Sequence, residues 1–132
     1  MNNKVLLIDD EEQFRNSVKI ALKRKNIDVV TEQDGFDGLQ NIMLSAASGQ
    51  QYSLIILDIM MPRVSGIDIL EYMIQERIEV PVIVVTGFMD YDLKFFCSRI
   101  KNIKVLEKPF NQTQLVDEVL SVLEKPDTGD AQ

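Results

Sequence analysis

The sequence predicts an open, doubly wound α/β fold, a five-stranded parallel sheet with helices on both faces. Three observations lead to it. Short apolar runs alternate with longer amphipathic segments along the whole chain. Val5-Leu6-Leu7-Ile8 and Leu54-Ile55-Ile56-Leu57 are apolar without alternation, as strands covered on both faces are. Each of these runs ends in acid, Asp9-Asp10 and Asp58, at the carboxyl edge where open α/β proteins place their sites.

The elements follow in order. The first strand is Lys4–Ile8, and Phe14, Val18, Ala21 and Leu22 then recur at helical spacing. The second strand, Asp28–Glu32, is expected at an edge. After an Asp34-Gly35 turn, Phe36, Leu39, Ile42 and Met43 form the inner stripe of the second helix. The third strand is Ser53–Asp58. The third helix follows Ser65-Gly66, with Ile67, Leu70, Met73 and Ile74 on one side and Gly66 as the turn residue. The fourth strand, Val80–Thr86, is apolar up to its last residue, as an interior strand should be. Gly87 reads as a tight exit from it. The fourth helix, roughly Asp90 to Ile100, contains Leu93, Phe96 and Ile100. The fifth strand is Ile103–Glu107. The last helix, Gln112–Leu123, carries Leu115, Val119, Val122 and Leu123 behind an Asn111 cap. Residues 1–124 thus make one domain, and 125–132 read as a polar tail or the start of a linker.

Composition narrows the function. A chain of 132 residues can bury about two-thirds of its unfolded surface and needs no staples. A net charge of -7 argues against direct nucleic-acid binding and suits a cation site or a basic partner. Without histidine there is no common general base, no usual zinc ligand and no self-contained phosphohistidine chemistry. Cys97 is the only cysteine, which excludes an internal disulfide, and it reads as a small half-buried residue. Met1-Asn2-Asn3-Lys4 leads straight into the first strand, and no apolar run reaches membrane-spanning length. A cytoplasmic protein is expected, with no membrane association.

The strand ends supply a consistent chemistry: Asp9-Asp10 from the first, Asp58 from the third, Thr86-Gly87 from the fourth and Lys108-Pro109 from the fifth. Two carboxylates about 4 Å apart repel by roughly 4 kcal/mol at an effective dielectric of 20. Folding gives no reason to gather them, but a bound divalent cation does. Hard oxygen ligands without His or Cys suit Mg²⁺ or Mn²⁺. A lysine beside a hydroxyl suits a phosphoryl group. Glu11 and Glu12 are better explained as an acidic helix start, favoured by the helix dipole.

From Lys4 to about Leu123 the chain resembles the response-regulator receiver domains of two-component signalling. The resemblance rests on Val5-Leu6-Leu7-Ile8-Asp9-Asp10-Glu11, on Leu57-Asp58-Ile59-Met60-Met61-Pro62 with Gly66 following, on Val84-Val85-Thr86-Gly87 and on Glu107-Lys108-Pro109-Phe110. It implies the flavodoxin-like strand order 2-1-3-4-5. It implies Asp58 as phosphoacceptor, Asp9, Asp10, Asp58 and the Met60 carbonyl as Mg²⁺ ligands, Lys108 as the phosphoryl counter-ion and Thr86 as the hydroxyl that moves after transfer. It implies a signalling domain rather than an enzyme, one that assists its own phosphorylation and dephosphorylation. The donor would be a sensor histidine kinase or histidine phosphotransfer protein, with small phosphodonors also possible. An output domain or dimer partner would meet the fourth and fifth helices, where Phe88, Met89, Tyr91, Phe95 and Phe96 are too many for one buried face. The Lys108-Pro109 bond is expected to be cis.

The chain departs from the family pattern at Val105, which stands three residues before Lys108 where many receivers carry a rotating aromatic. It also carries Cys97-Ser98-Arg99-Ile100-Lys101-Asn102 before strand five, in place of a small residue and glycine. The relay would then run through Thr86, the 87–92 loop and the fourth helix. Met60 and Phe88, two residues after Asp58 and Thr86, stand where they could limit water access to an acyl phosphate. Three other functions compete. A flavodoxin-like redox protein would need phosphate on the Asp9-Asp10-Glu11-Glu12 loop. A haloacid-dehalogenase-like phosphatase would want an acid where Met60 stands. A non-phosphorylated pseudo-receiver scaffold would not need the intact acids and lysine.

Overall fold

The structure, a computed structural model, describes residues 3–124. The tail expected at 125–132 lies outside the described residues. The elements are β1 (Lys4–Ile8), α1 (Glu12–Lys23), β2 (Asp28–Glu32), α2 (Gly35–Ser48), β3 (Leu54–Asp58), α3 (Gly66–Gln75), β4 (Val82–Thr86), α4 (Tyr91–Ser98), β5 (Ile103–Glu107) and α5 (Gln112–Glu124). All strands are parallel, in the order β2-β1-β3-β4-β5. The expected α/β fold and strand order are those observed.

Alternation along the strands divides the core in two. Leu6, Ile8, Ile55, Leu57, Val82 and Val84 face one side, with Ile42 of α2, Leu70 and Met73 of α3 and Leu93 of α4. Val5, Leu7, Leu54, Ile56, Ile83 and Val85 face the other, with Val18 and Leu22 of α1 and Leu115 and Val119 of α5. Each fully buried aliphatic side chain contributes about 1.5–3 kcal/mol from area removed from water. β3 and β4 are fully covered, and β1 is covered from Val5 onward, so the register that places the site is set by the heart of the core.

Several boundaries and faces differ from expectation. β3 starts at Leu54 rather than Ser53, and β4 at Val82 rather than Val80. Pro81 has no N–H to donate to a ladder, although its carbonyl accepts from Ile55 N at 2.9 Å. In α2 the buried residues are Gly35, Gly38 and Ile42, with Leu39 half-buried, while Phe36 and Met43 are exposed. The helix approaches so closely that a Cβ at Gly38 would lie 2.6 Å from Ile8 Cδ1. The inner stripe therefore runs through glycines, which a count of apolar residues misreads. In α3, Ile69 joins Leu70 and Met73 in the core, and Ile67 and Ile74 are half-buried. α4 is shorter than expected, ending at Ser98. The chain bends at Gly87, but its φ is not positive and a Cβ there would meet nothing, so the bend does not require glycine.

Four helix starts carry side-chain caps, and α1 at Glu11 does not. Asp34 accepts from Asp37 N at 2.8 Å, Asp90 accepts from Leu93 N at 2.9 Å, and Ser65 and Asp68 form a capping box. Asn111 and Gln114 cap α5 reciprocally, each side chain accepting from the other's N–H at 2.8 Å. No helix among the described residues is long and apolar enough to cross a membrane.

Candidate functional site

The parallel register brings the acids together. Ile8 lies opposite Leu57 in the β1–β3 pair, so Asp9 and Asp58 emerge side by side as the two strands end. The ladders continue beyond the strands: Asp9 N donates to Glu32 O at 3.2 Å, Ile59 N to Val85 O at 3.3 Å and Lys108 N to Thr86 O at 2.7 Å. The backbone therefore fixes the rim that the side chains occupy.

Carboxylate oxygens of Asp9, Asp10 and Asp58 lie within 4.8 Å of one another. Asp9 and Asp58 are 2 % and 4 % exposed, and Asp10 faces solvent. Asp9 Oδ1 accepts from Glu11 N at 2.8 Å, its carbonyl accepts from Arg15 Nη1 at 2.8 Å, and Asp58 Oδ1 accepts from Met60 N at 3.3 Å. The ion pairs among the described residues are Lys23–Asp28, Arg63–Asp34 and Lys104–Glu118, so none of the three acids is paired.

The electrostatics are those of a site short of positive charge. Burial pushes the Asp9 carboxyl up to about 6; Asp58 and Asp10 add to the rise, against the Glu11 N–H and the Lys108 ammonium. Burial also raises Asp58, helped by Asp10, while Lys108 and the N–H groups of Met60 and Ile59 pull it down. Lys108 thus acts on both buried acids through its field, without a direct ion pair. Two buried carboxylates and one exposed one, all oxygen donors and all unpaired, fit a hard divalent cation.

Thr86 is 1 % exposed. Its hydroxyl accepts from Phe88 N at 3.2 Å and donates to Phe88 O at 3.0 Å, which ties it to the loop leading into α4. Met60 and Phe88 are exposed at 75 % and 72 %, on the loops after β3 and β4. The aromatic group around α4 divides: Met89 and Phe96 pack on the core, while Phe88, Tyr91 and Phe95 stay outside. Val105 is half-buried and packs on the α4 side of the sheet. Cys97 is half-buried there too, and burial raises its thiol pKa. Lys108-Pro109 is cis.

Sequence reasoning missed two groups. Arg15 reaches back from α1 to hold the Asp9 carbonyl; a basic residue one turn into an acidic helix start was the available signal. Asp34 of the α2 turn meets Arg63 of the β3–α3 loop, a pairing that spans separate units and leaves no trace in local pattern.

The response regulator receiver domain family matches residues 5–120. The chain is 27 % identical over 125 residues to the alkaline phosphatase synthesis transcriptional regulatory protein PhoP of Bacillus subtilis, covering 95 % of this chain and 50 % of that protein. It is 29 % identical over 121 residues to the response regulator ArlR of Staphylococcus aureus, covering 92 % and 52 %. It therefore spans about half the length of these curated relatives. Among solved structures, the signal receiver domain of a putative LuxO repressor protein from Vibrio parahaemolyticus superposes with a TM-score of 0.80 at 30 % identity, covering 94 % of this chain and 92 % of that one. The fold, the rim geometry and these likenesses agree, and the chain belongs to the receiver domains of two-component response regulators.

Proposed function

We propose that Asp58 is the phosphoacceptor of this receiver, with Mg²⁺ (or Mn²⁺) held by Asp9, Asp10, Asp58 and the Met60 carbonyl. The carrying observation is the meeting of three unpaired carboxylates within 4.8 Å, two of them buried, in the field of Lys108. An Asp58 oxygen attacks phosphorus. The new P–O bond forms as the donor's P–N bond breaks, and the electron pair leaves with the imidazole of a phosphohistidine. These 132 residues hold no histidine, so the phosphoryl group comes from outside them, from the phosphohistidine of a sensor histidine kinase or a histidine phosphotransfer protein. Small phosphodonors such as acetyl phosphate react at the same oxygen. The bound metal supplies positive charge to the phosphoryl oxygens, and Lys108 supplies more from the β5 side.

After transfer the Thr86 hydroxyl exchanges its two bonds to Phe88 for one to the phosphoryl group. That frees the loop entering α4. The new charge of about -1.5 to -2 favours the altered loop, and a bias of a few kcal/mol is enough to shift the population. The exposed Phe88, Tyr91 and Phe95 make the α4 side the face that meets an output domain or a dimer partner. Met60 and Phe88 restrict water at the acyl phosphate, so Met60→Asn and Phe88→Glu are expected to change its half-life. The protein acts in the cytoplasm, where its phosphodonor and output are.

The test is intact mass after incubation with acetyl phosphate and Mg²⁺. The parent gains one phosphoryl group. Asp58→Asn gains none, and an adduct that survives this substitution refutes the assignment.

A further inference from the structure

The loop between β3 and α3, residues 60–65, is anchored in the core by buried Met61 and by Val64 packed against it, but its hydrogen bonds run mainly within the loop and to the elements it joins. Met60 N donates to Asp58 Oδ1, Met61 N to Ile59 O at 3.2 Å, and Ser65 bonds only to Asp68 and Ile69 of the helix it caps. Among the described residues, its one ion pair or hydrogen bond to a different unit is Arg63 Nη2 to Asp34 Oδ2, at 3.6 Å. The Asp34 side chain is only 19 % exposed, and its other oxygen caps α2. Next to it, a Cβ at Gly35 would stand 1.9 Å from the Val64 carbonyl oxygen and 2.7 Å from its carbon. These are backbone atoms, which cannot turn aside. Arg63 itself sits at φ 67°, in the left-handed region that an arginine seldom occupies. The start of α2 therefore holds the loop by an ion pair at one residue and by bare backbone contact at the next.

We propose that Asp34 and Gly35 are positioning residues for the metal site, acting through this loop on the Met60 carbonyl. The inference rests on the reading of that carbonyl as a Mg²⁺ ligand. Groups that orient a metal ligand from behind commonly change affinity by about 10–100-fold when altered. In this chain one such group is the first turn of a helix that holds none of the proposed ligands.

Mg²⁺ affinity is measured by calorimetric titration, and thermal unfolding in EDTA is recorded beside it. Gly35→Ala is expected to weaken Mg²⁺ binding about tenfold or more. Arg63→Gly removes the pair while suiting the left-handed backbone, and Asp34→Ser removes the pair while keeping a cap on α2. Each is expected to weaken binding about two- to fivefold, as the loss of a partly exposed pair does, with unfolding in EDTA little changed. The double variant is expected to be no weaker than the singles. Metal affinity and metal-free stability then separate, which a purely structural role would not produce. Parent affinity in folded Arg63→Gly and Asp34→Ser overturns the inference, whatever the fate of Gly35→Ala. A parent that binds no Mg²⁺ overturns the metal reading itself.

Discussion

The two halves of the rim are built differently. On the β1–β3 side, carboxylates stand at the ends of strands buried from Val5 to Ile8 and from Leu54 to Asp58, and Asp9 and Asp58 are themselves buried. On the β4–β5 side, Thr86 is buried but bonds to a loop, β5 is an edge strand of half-buried residues, and Phe88, Tyr91 and Phe95 face solvent. The first arrangement holds like charges in a fixed geometry. The second can change its hydrogen bonds without disturbing the core. Capturing a phosphoryl group requires the first property, and reporting it requires the second.

The largest expected difference between the halves is in stability. Ile56 lies at the centre of β3 with no exposed surface. Ile56→Ala is expected to lower unfolding free energy by up to about 5 kcal/mol, as fully buried truncations do. Urea unfolding measures it, and a loss below about 1 kcal/mol would contradict a rigid β1–β3 half. Next is Lys108→Ala. Lys108 is exposed, so folding should hardly change. Its charge lies in the field of Asp58, and its removal is expected to slow phosphorylation by acetyl phosphate about 10²–10³-fold. A rate within threefold of the parent's would place the catalytic charge elsewhere.

The β1–β3 half was the more legible in the sequence. Unbroken apolar runs ending in acid have few structural explanations, and adjacency of the runs puts Asp9 beside Asp58. Thr86 was legible as a strand-end residue, but its bonds to Phe88 depend on loop geometry that no periodicity encodes. The α2 face was misread because Gly35 and Gly38 do the inward packing while Phe36 and Met43 point out. Hydrophobic spacing finds burial by large side chains and overlooks burial by backbone. The Asp34–Arg63 pair was hidden for a related reason, since each residue explains itself locally as a cap and as a loop cation.

The third expected effect is a pH dependence confined to the acidic half. In metal-free protein the Asp9 carboxyl lies at about 6 against an ordinary 3.8. Its folded value is above its unfolded one, so between these pH values the folded state holds the extra proton. Stability is then greatest below about pH 4 for this group, and falls as pH rises through 6. The loss is at most about 3 kcal/mol for a shift of this size, and Asp58 adds to it with the same sign. Thermal unfolding in EDTA from pH 4 to 8 is expected to show the decline. Saturating Mg²⁺ is expected to flatten it, because bound metal favours the ionised carboxylates. Asp9→Asn removes the Asp9 share. A melting temperature that rises with pH across this window in EDTA would mean that positive charge already compensates the acids.

The smallest effect tests how the β4–β5 half communicates. Val105 pairs with Val84 in the ladder and packs, half-buried, on the α4 side. Truncating it removes two methyl groups from a partly covered edge, so Val105→Ala is expected to cost only about 1 kcal/mol. If Thr86 and the loop to α4 carry the relay, phosphorylated Val105→Ala should show the parent's amide chemical-shift changes in α4. Thr86→Ala should lose them while still accepting the phosphoryl group, because its hydroxyl is needed after transfer rather than during it. Loss of those shifts in Val105→Ala, with Thr86 intact, would move the relay to β5. An edge strand with no aromatic at that position would then transmit by the packing of a single valine, and the contrast between a half of fixed geometry and a half that can change its hydrogen bonds would have to be redrawn around β5 rather than around the loop.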